Sequence, residues 1–516
     1  MSADVFAIIQ SNPVLVNKVT TLKEINLDFV CMESNAFHLD LSNSLDKLYG
    51  KATDATFPAY LGKKIANLCI TLNEHPCIRY FGSSPFARDI ATSLQQSLMQ
   101  YKRTNTAHWC YGDDKHTDRD RAQILILDRS FDPLSPLMHE YTYQAMVNDL
   151  LDVEDNSIIT YKTTTNRGAE EEKQALLNEN DEFWLELRHN HIAKVIETIK
   201  ERMSDIIQNN AGAQLAKKSG SDLDITTMAA AVKKLPEYTQ TMTKLGQHVA
   251  IAQQCMDAFG RQGLMGLSQV EQTISTGLDE DGKEVKGQKL FQLVVETLRT
   301  PMSKEQKMRL LAIYYISQRH IPGSEEFTRQ AIQQARLTPS DQQLISNLER
   351  ILACTSPVMV ADDKKGGMLS TIFRGGKPTK HAATPEGEYA DTRHVCLLKT
   401  YLEQLLTNAL PTDKFPAMGP APSMGSKTEA KSVRKFGAAS KFGKKDHLQF
   451  NGGRFLVFIA GGVSFSELRV AYELMQKESK EVVIGSTHIQ SPDSYMVDIG
   501  SLHTIPSTSQ KRELLL

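Results

Sequence analysis

No two cysteines in this 516-residue chain stand at CxxC spacing. The seven present (Cys31, Cys69, Cys77, Cys110, Cys255, Cys354 and Cys396) are scattered, which excludes a zinc ribbon or a disulfide scaffold and is the pattern of reduced thiols in the cytosol. A surplus of charge is missing too: 59 Lys and Arg stand against 61 Asp and Glu, so nothing points to nucleic acid or to a bulk membrane surface. Specific partners are expected instead. The longest apolar run near the end, Phe455 to Phe465, is too short to span a bilayer. The opening MSADVFAIIQ lacks the basic start and long apolar stretch of a signal peptide, and the final SLHTIPSTSQKRELLL carries no retention or lipidation signal. A membrane role is therefore expected only through a partner. There is no GxGxxG, no GxxxxGK[ST] and no DxDxT, and no serine, histidine and acid stand at the spacing of a known catalytic motif. The expectation is a protein with no catalytic residues, no cofactor and no metal.

What the chain does have is concentrated in residues 121 to 151, RAQILILDRSFDPLSPLMHEYTYQAMVNDLL. Ile124 to Leu127 is an apolar run of strand length, suited to a parallel sheet buried on both faces. Asp128 and Arg129 break it. Pro133 and Pro136 then force the backbone out extended, so no helix starts before Pro136, with Ser135 placed to cap. From Met138 the side chains of Tyr141, Ala145, Met146 and Leu150 recur at helical spacing. Acidic residues at a strand end invite a catalytic reading. The commoner use of Asp128 and Asp132 flanking Arg129 is an ion pair that pins the corner.

The length suggests roughly three domains. Ile25 to Cys31 and Cys77 to Phe81 read as strands, with amphipathic helices over Tyr60 to Leu72 and after Pro85. Far along the chain, strand Phe455 to Ile459, helix Val463 to Gln476 and strand Val482 to Gly485 form a βαβ unit. The fold class expected is α/β with a large, mainly helical insertion: a parallel-sheet domain built from two discontinuous segments, 27–135 and 454–516, around a helical region at 136–410. Ala460-Gly461-Gly462 before a helix invites a nucleotide-enzyme reading. Ser464 with Glu467 makes a capping box there, which favours a structural turn. In the insertion, His191 to Ile207 carries an apolar stripe, and His189 and His191, two apart, point their rings in different directions. Ser303 with Gln306 makes a capping box before one helix, and Thr338-Pro339 caps another. After Pro236, Tyr238, Met242, Leu245, Val249, Ala252, Met256 and Phe259 recur at spacings of four and three, a seam that wants another helix. That helix is either part of the same domain or supplied by a partner. Leu235-Pro236 reads as a hinge that folds the tip of a helical hairpin, 191–260, back on itself. Residues 361–390 and 411–453 have linker composition, with seven Lys or Arg between 427 and 445 that are either solvated or set against acidic lipid.

The run LILDRSFDPLSPLMHEYTYQAM resembles the signature of the SM family, the Sec-one and Munc-eighteen syntaxin-binding proteins, in particular the unc-eighteen secretory branch. Trp184 to Ala193, Lys233 to Tyr238, FIAGGVSFSELRVAYEL and EVVIGSTHI resemble the same family in the same order, so the likeness covers about residues 6 to 490. It implies a non-enzymatic regulator of vesicle docking and exocytosis that binds syntaxin and assembling SNARE helices, including a vesicle SNARE. Such a protein acts as a monomer, in the cytoplasm at the plasma membrane through syntaxin. The resemblance assigns Leu235, Pro236, Tyr238, Met242, Leu245 and Val249 to SNARE contact. It makes residues 1–26 the remnant of an N-terminal α/β domain, and places Phe6 and Glu24 in a pocket for the N-terminal peptide of syntaxin. The alternative reading is a cytosolic nucleotide-binding enzyme using Gly461-Gly462.

Overall fold

A computed structural model of the chain describes residues 10–18, 20–21, 27–50, 54–105, 121–154, 157–164, 170–209, 225–353, 392–419, 450 and 452–502. The strands are β1 (Val30–Glu33), β2 (Ala36–His38), β3 (Cys77–Tyr80), β4 (Gln123–Asp128), β5 (Val153–Glu154), β6 (Ile158–Thr164), β7 (Glu170–Leu176), β8 (Ala417–Met418), β9 (Phe455–Ala460), β10 (Val463–Ser464), β11 (Val482–Ser486) and β12 (Ile489–Gln490). Seven of them form one sheet in the order β1-β2-β11-β9-β4-β3-β8. The five inner strands are mutually parallel, and antiparallel β1 and β8 close the two edges.

The centre of the sheet is the apolar run β4 beside the apolar run β9, with Leu125 opposite Val457 and Ile126 opposite Phe458. Every residue of β9 is buried, as expected where helices cover both faces. The sheet is thus assembled from chain segments more than 300 residues apart, and the α/β class with a helical insertion is what the structure shows. Helices Phe57–Thr71 and Pro85–Thr104 pack together beside β3 and β4, presenting Ile65, Leu68, Ile90, Leu94 and Leu98 inward. Helix Phe465–Glu478 packs on β11. The insertion is a stack of helices with an antiparallel three-stranded sheet, β5-β6-β7. Ser303 with Gln306 and Thr338 cap their helices as read, and Asp341 completes a capping box at Thr338.

One apolar core runs through sheet and insertion alike. Within the insertion, Arg309 grips Asp149 through both guanidinium nitrogens at 3.0 and 3.1 Å and also donates to the Leu137 carbonyl. A polar tie reinforces the joint with the sheet domain: Asn347 donates to the carbonyls of Ile499 and Gly500.

The structure corrects several local expectations. The first strand begins at Val30 rather than Ile25. After β4 the chain makes two single turns of 3-10 helix, Arg129–Phe131 and Ser135–Leu137, and the α-helix starts only at Tyr143 behind Thr142. Met138 is extended, so Ser135 does not cap that helix; its hydroxyl donates to Asp132 at 2.6 Å. The expected ion pair of Arg129 with its flanking aspartates does not form. Arg129, wholly buried, donates to Glu467 at 2.5 and 3.1 Å and to the Gly462 carbonyl at 3.2 Å. Asp128 is held by hydroxyls of Tyr49, Ser84 and Ser130, and burial raises its pKa. Asp132 accepts from the backbone amides of Leu134, Ser135 and Leu397. Helix Phe465–Glu478 starts two residues later than read, since Val463–Ser464 is a strand. Residues 411–419, read as linker, build the sheet edge: Ala417 and Met418 pair with β3, Phe415 is buried, and Arg79 donates to the carbonyls of Leu410 and Phe415.

Candidate functional site

The longest helix among the described residues belongs to a pair, Ile192–Asn209 and Ile225–Arg261, packed on each other. The second has 37 residues, about 55 Å at 1.5 Å per residue. It is uninterrupted through Leu235-Pro236, so the folded-back tip expected at that dipeptide is absent here. A proline removes one backbone donor and costs about 3 kcal/mol in a helix interior, but the turns on either side keep their bonds. The side chains of Leu235, Pro236 and Tyr238 lie outside the described residues, as do Phe6, Glu24 and the basic tract 427–445.

The C-terminal half of the long helix is anchored. Leu245, Ala252 and Phe259 of the seam are buried, Met242 and Met256 are half-buried, and Val249 is 43% exposed. Sequence reasoning missed His248, Ile251 and Cys255, all wholly buried. The buried face is offset from the seam as read, and the 3–4 spacing of Leu245, His248, Ile251 and Cys255 carried that signal. From residue 245 onward the seam therefore packs within its own chain, leaving Val249 and part of Met242 on the outside.

His248 is the anchor's polar centre. Its Nδ1 lies 3.1 Å from the Tyr143 hydroxyl, its Nε2 3.4 Å from Asp181, and its ring stacks on Trp184 at 6.4 Å. Asp181 caps helix Glu182–Leu187 by accepting from Phe183 and Trp184 amides. Burial opposes its ionisation, yet the hydrogen bond and charge of His248 hold its pKa below the ordinary carboxylate value. Tyr143, pushed up by burial, stays neutral. His191 stacks on Tyr141 and His189 on Tyr472, so the two histidines serve different contacts.

At Gly461-Gly462 both residues adopt φ near +100°, and both amides donate to Thr487 Oγ1 at 3.1 Å. Two donors that would meet a phosphate are already satisfied by a side chain. A Cβ at Gly462 would come within 2.4 Å of Gln490, which is why glycine stands there. The Ser464–Glu467 capping box forms as read. Among the described residues no group of His, Cys, Asp or Glu is arranged to hold a metal, and no helix is long and apolar enough to cross a membrane.

The described residues thus combine a parallel sheet split by a helical insertion with a long helical pair, and the Gly461-Gly462 turn offers no free amide to a phosphate. Residues 4–498 match the Sec1 family, and the chain belongs to it. It is 32% identical over 508 residues to the protein transport protein sec1 of Dictyostelium discoideum, covering 93% of this chain and 78% of that one. It is 28% identical to the SNARE-interacting protein KEULE of Arabidopsis thaliana, covering 97% and 79%. Among solved structures, the Unc18–syntaxin 1 complex from Monosiga brevicollis is similar at 26% identity with a TM-score of 0.71, covering 98% of this chain and 81% of that one. The SM protein Vps45 in complex with the Qa SNARE Tlg2, at 17% identity and a TM-score of 0.65 over 92% and 75% of the two chains, shares the fold.

Proposed function

We propose that this chain is a SNARE-binding regulator of vesicle docking and membrane fusion in secretion. The observation that carries the reading is family membership across 4–498, together with likeness over 98% of the chain to a protein solved with its syntaxin. Its working surface is the hairpin of Ile192–Asn209 and Ile225–Arg261, rooted by His248. The helix through Leu235, Pro236, Tyr238, Met242 and Val249 offers SNARE helices a long template, while Leu245 holds that template to the body. Binding is by extended surfaces and not by chemistry. A vesicle SNARE joins syntaxin on this template, the protein acts as a monomer, and it reaches the plasma membrane through syntaxin. Phe6 and Glu24 are assigned to a syntaxin N-peptide contact. The split α/β domain, helical region and basic linker are its functional units.

Calorimetric titration with a syntaxin cytosolic region, beside the preassembled SNARE bundle, tests this. Binding to either is expected. Binding to neither, by a chain whose circular dichroism shows it folded, refutes it. The nucleotide-enzyme alternative is disfavoured by Thr487, which occupies both amides at Gly461 and Gly462. Nucleotide-induced thermal stabilisation would revive it.

A further inference from the structure

Away from the hairpin, a cavity of about 260 Å³ lies between β1 and the segment leading into helix Glu182–Leu187. Its lining includes Met32, Glu33, Gln144, Glu179, Trp184 and Arg188. Glu33 and Gln144 are each more than nine-tenths buried. Gln144 Nε2 donates to Glu33 Oε1 at 2.8 Å; Glu33 Oε2 and Gln144 Oε1 have no hydrogen-bond partner, and neither has Arg188 Nη1, which is held by charge alone beside Glu33 Oε1. Two buried acceptors without donors cost free energy that a donor entering the cavity would recover.

The charges specify which donor. Arg188 lies 3.1 Å from Glu33 and 3.1 Å from Glu179, so one positive charge faces two carboxylates. His38, also on the wall, adds no charge at neutral pH, because burial lowers its pKa. The surplus is one negative charge, beside the side chain of Trp184, a setting that suits an organic cation. Val30, Cys31, Met32 and Glu33 of the lining belong to β1, the terminal strand of the sheet, whose outer side pairs with no other strand among the described residues. An edge of that kind accepts an extended chain.

We propose that this cavity receives the ammonium or guanidinium group of a lysine or arginine side chain carried by an extended partner peptide lying along β1. Glu33 Oε2 and Gln144 Oε1 accept its hydrogens, and Trp184 flanks its stem.

Cys31, exposed on β1 and part of the cavity lining, reports occupancy. Its thiolate attacks a methanethiosulfonate at the sulfenyl sulfur, forming a mixed disulfide and releasing methanesulfinate. Rates at Cys31 are read by peptide mapping and normalised to free cysteine. The 2-aminoethyl reagent is expected to react about tenfold faster than the 2-sulfonatoethyl reagent, and Glu33→Gln should erase most of that ratio. In the wild-type chain, a capped Thr-Val-Lys-Val-Thr peptide should slow alkylation of Cys31 by neutral iodoacetamide, while its norleucine counterpart and n-butylamine at equal concentration should not. Equal rates for the two charged reagents would overturn the cationic site. Protection by n-butylamine as strong as by the peptide would overturn the peptide as occupant, and protection by the norleucine peptide would overturn the role of charge.

Discussion

Removing one member of the Arg129–Glu467 pair tests how the two halves of the sheet are joined. Both side chains are completely buried, and the pair links the end of β4 to the helix after β9. Glu467→Gln leaves a guanidinium without its hydrogen-bonded anion in a dry site, where its Nε already lacks a partner. Breaking such a pair costs about 3 to 5 kcal/mol. Arg129→Met strands Glu467 instead and should cost a similar amount, although Ser464 still donates to the carboxylate through its amide and hydroxyl. The double variant Arg129→Met with Glu467→Gln removes both charges while the glutamine keeps an acceptor for the capping box, so its loss should be only about 1 to 2 kcal/mol. The coupling in the cycle is then about 4 kcal/mol or more. Equilibrium urea unfolding of the four proteins, followed by circular dichroism, measures it. Losses that simply add, so that the double variant is the least stable of the four, would refute the assignment of Arg129 to Glu467.

Three further outcomes follow from particular contacts. Pro236→Ala, which restores a backbone donor inside a helix that already runs through that position, should favour the extended helix by about 3 kcal/mol and accelerate SNARE assembly in a liposome assay; unchanged or slower assembly would sink the template. Thr487→Val orphans the amides of Gly461 and Gly462 and should cost about 2 kcal/mol or more in urea, whereas a loss near zero would mean those amides find other acceptors. His189 accepts from Arg188 at 3.0 Å, and burial, then the nearby charges of Arg188 and Arg469, lower its pKa to about 3. A folded-state pKa below the unfolded value of about 6.5 gives stability that is full above that value and falls as pH drops, by at most about 1.4 kcal/mol per unit. His189→Gln should flatten the slope of stability between pH 6.5 and 5 by up to one proton, and an unchanged slope would contradict the assignment.

How much of this was legible differs from element to element. β4, β9 and β11 announced themselves, because strands buried on both faces read as unbroken apolar runs. The capping boxes at Ser303 and Ser464 and the cap at Thr338 were equally plain, since each is a local pattern of a few residues. Arg129's partner was not legible. Asp128 and Asp132 stand beside it in sequence, but backbone geometry turns them to hydroxyls and amides, and the true anion lies 338 positions away. The helix start at Tyr143 was masked by apolar residues from Leu137 to Tyr141 that are buried without being helical. The seam was found with its face misjudged: hydropathy places Val249 inside and His248 outside, whereas Tyr143 and Asp181 supply the polar partners that let His248 be buried. Pro236 was read by its intrinsic preference, and a long helix overrode it. The cavity beside β1 draws on residues from β1, Gln144 and 177–188, and no single stretch of sequence signals it.

The pairing of β4 with β9 also sets a timetable. During synthesis β4 emerges roughly 330 residues before the strand that will lie beside it. At about 5 to 20 residues per second, that is a wait of about 15 to 65 seconds. Throughout it, the apolar edge formed by Ile124 to Leu127 has only β3 for company. An open parallel edge of that kind is a target for mispairing and aggregation. A ribosome that stalls or terminates within the insertion therefore releases a chain with its most hydrophobic strand exposed, and full-length yield should depend on whatever shields β4 until the last 60 or so residues arrive.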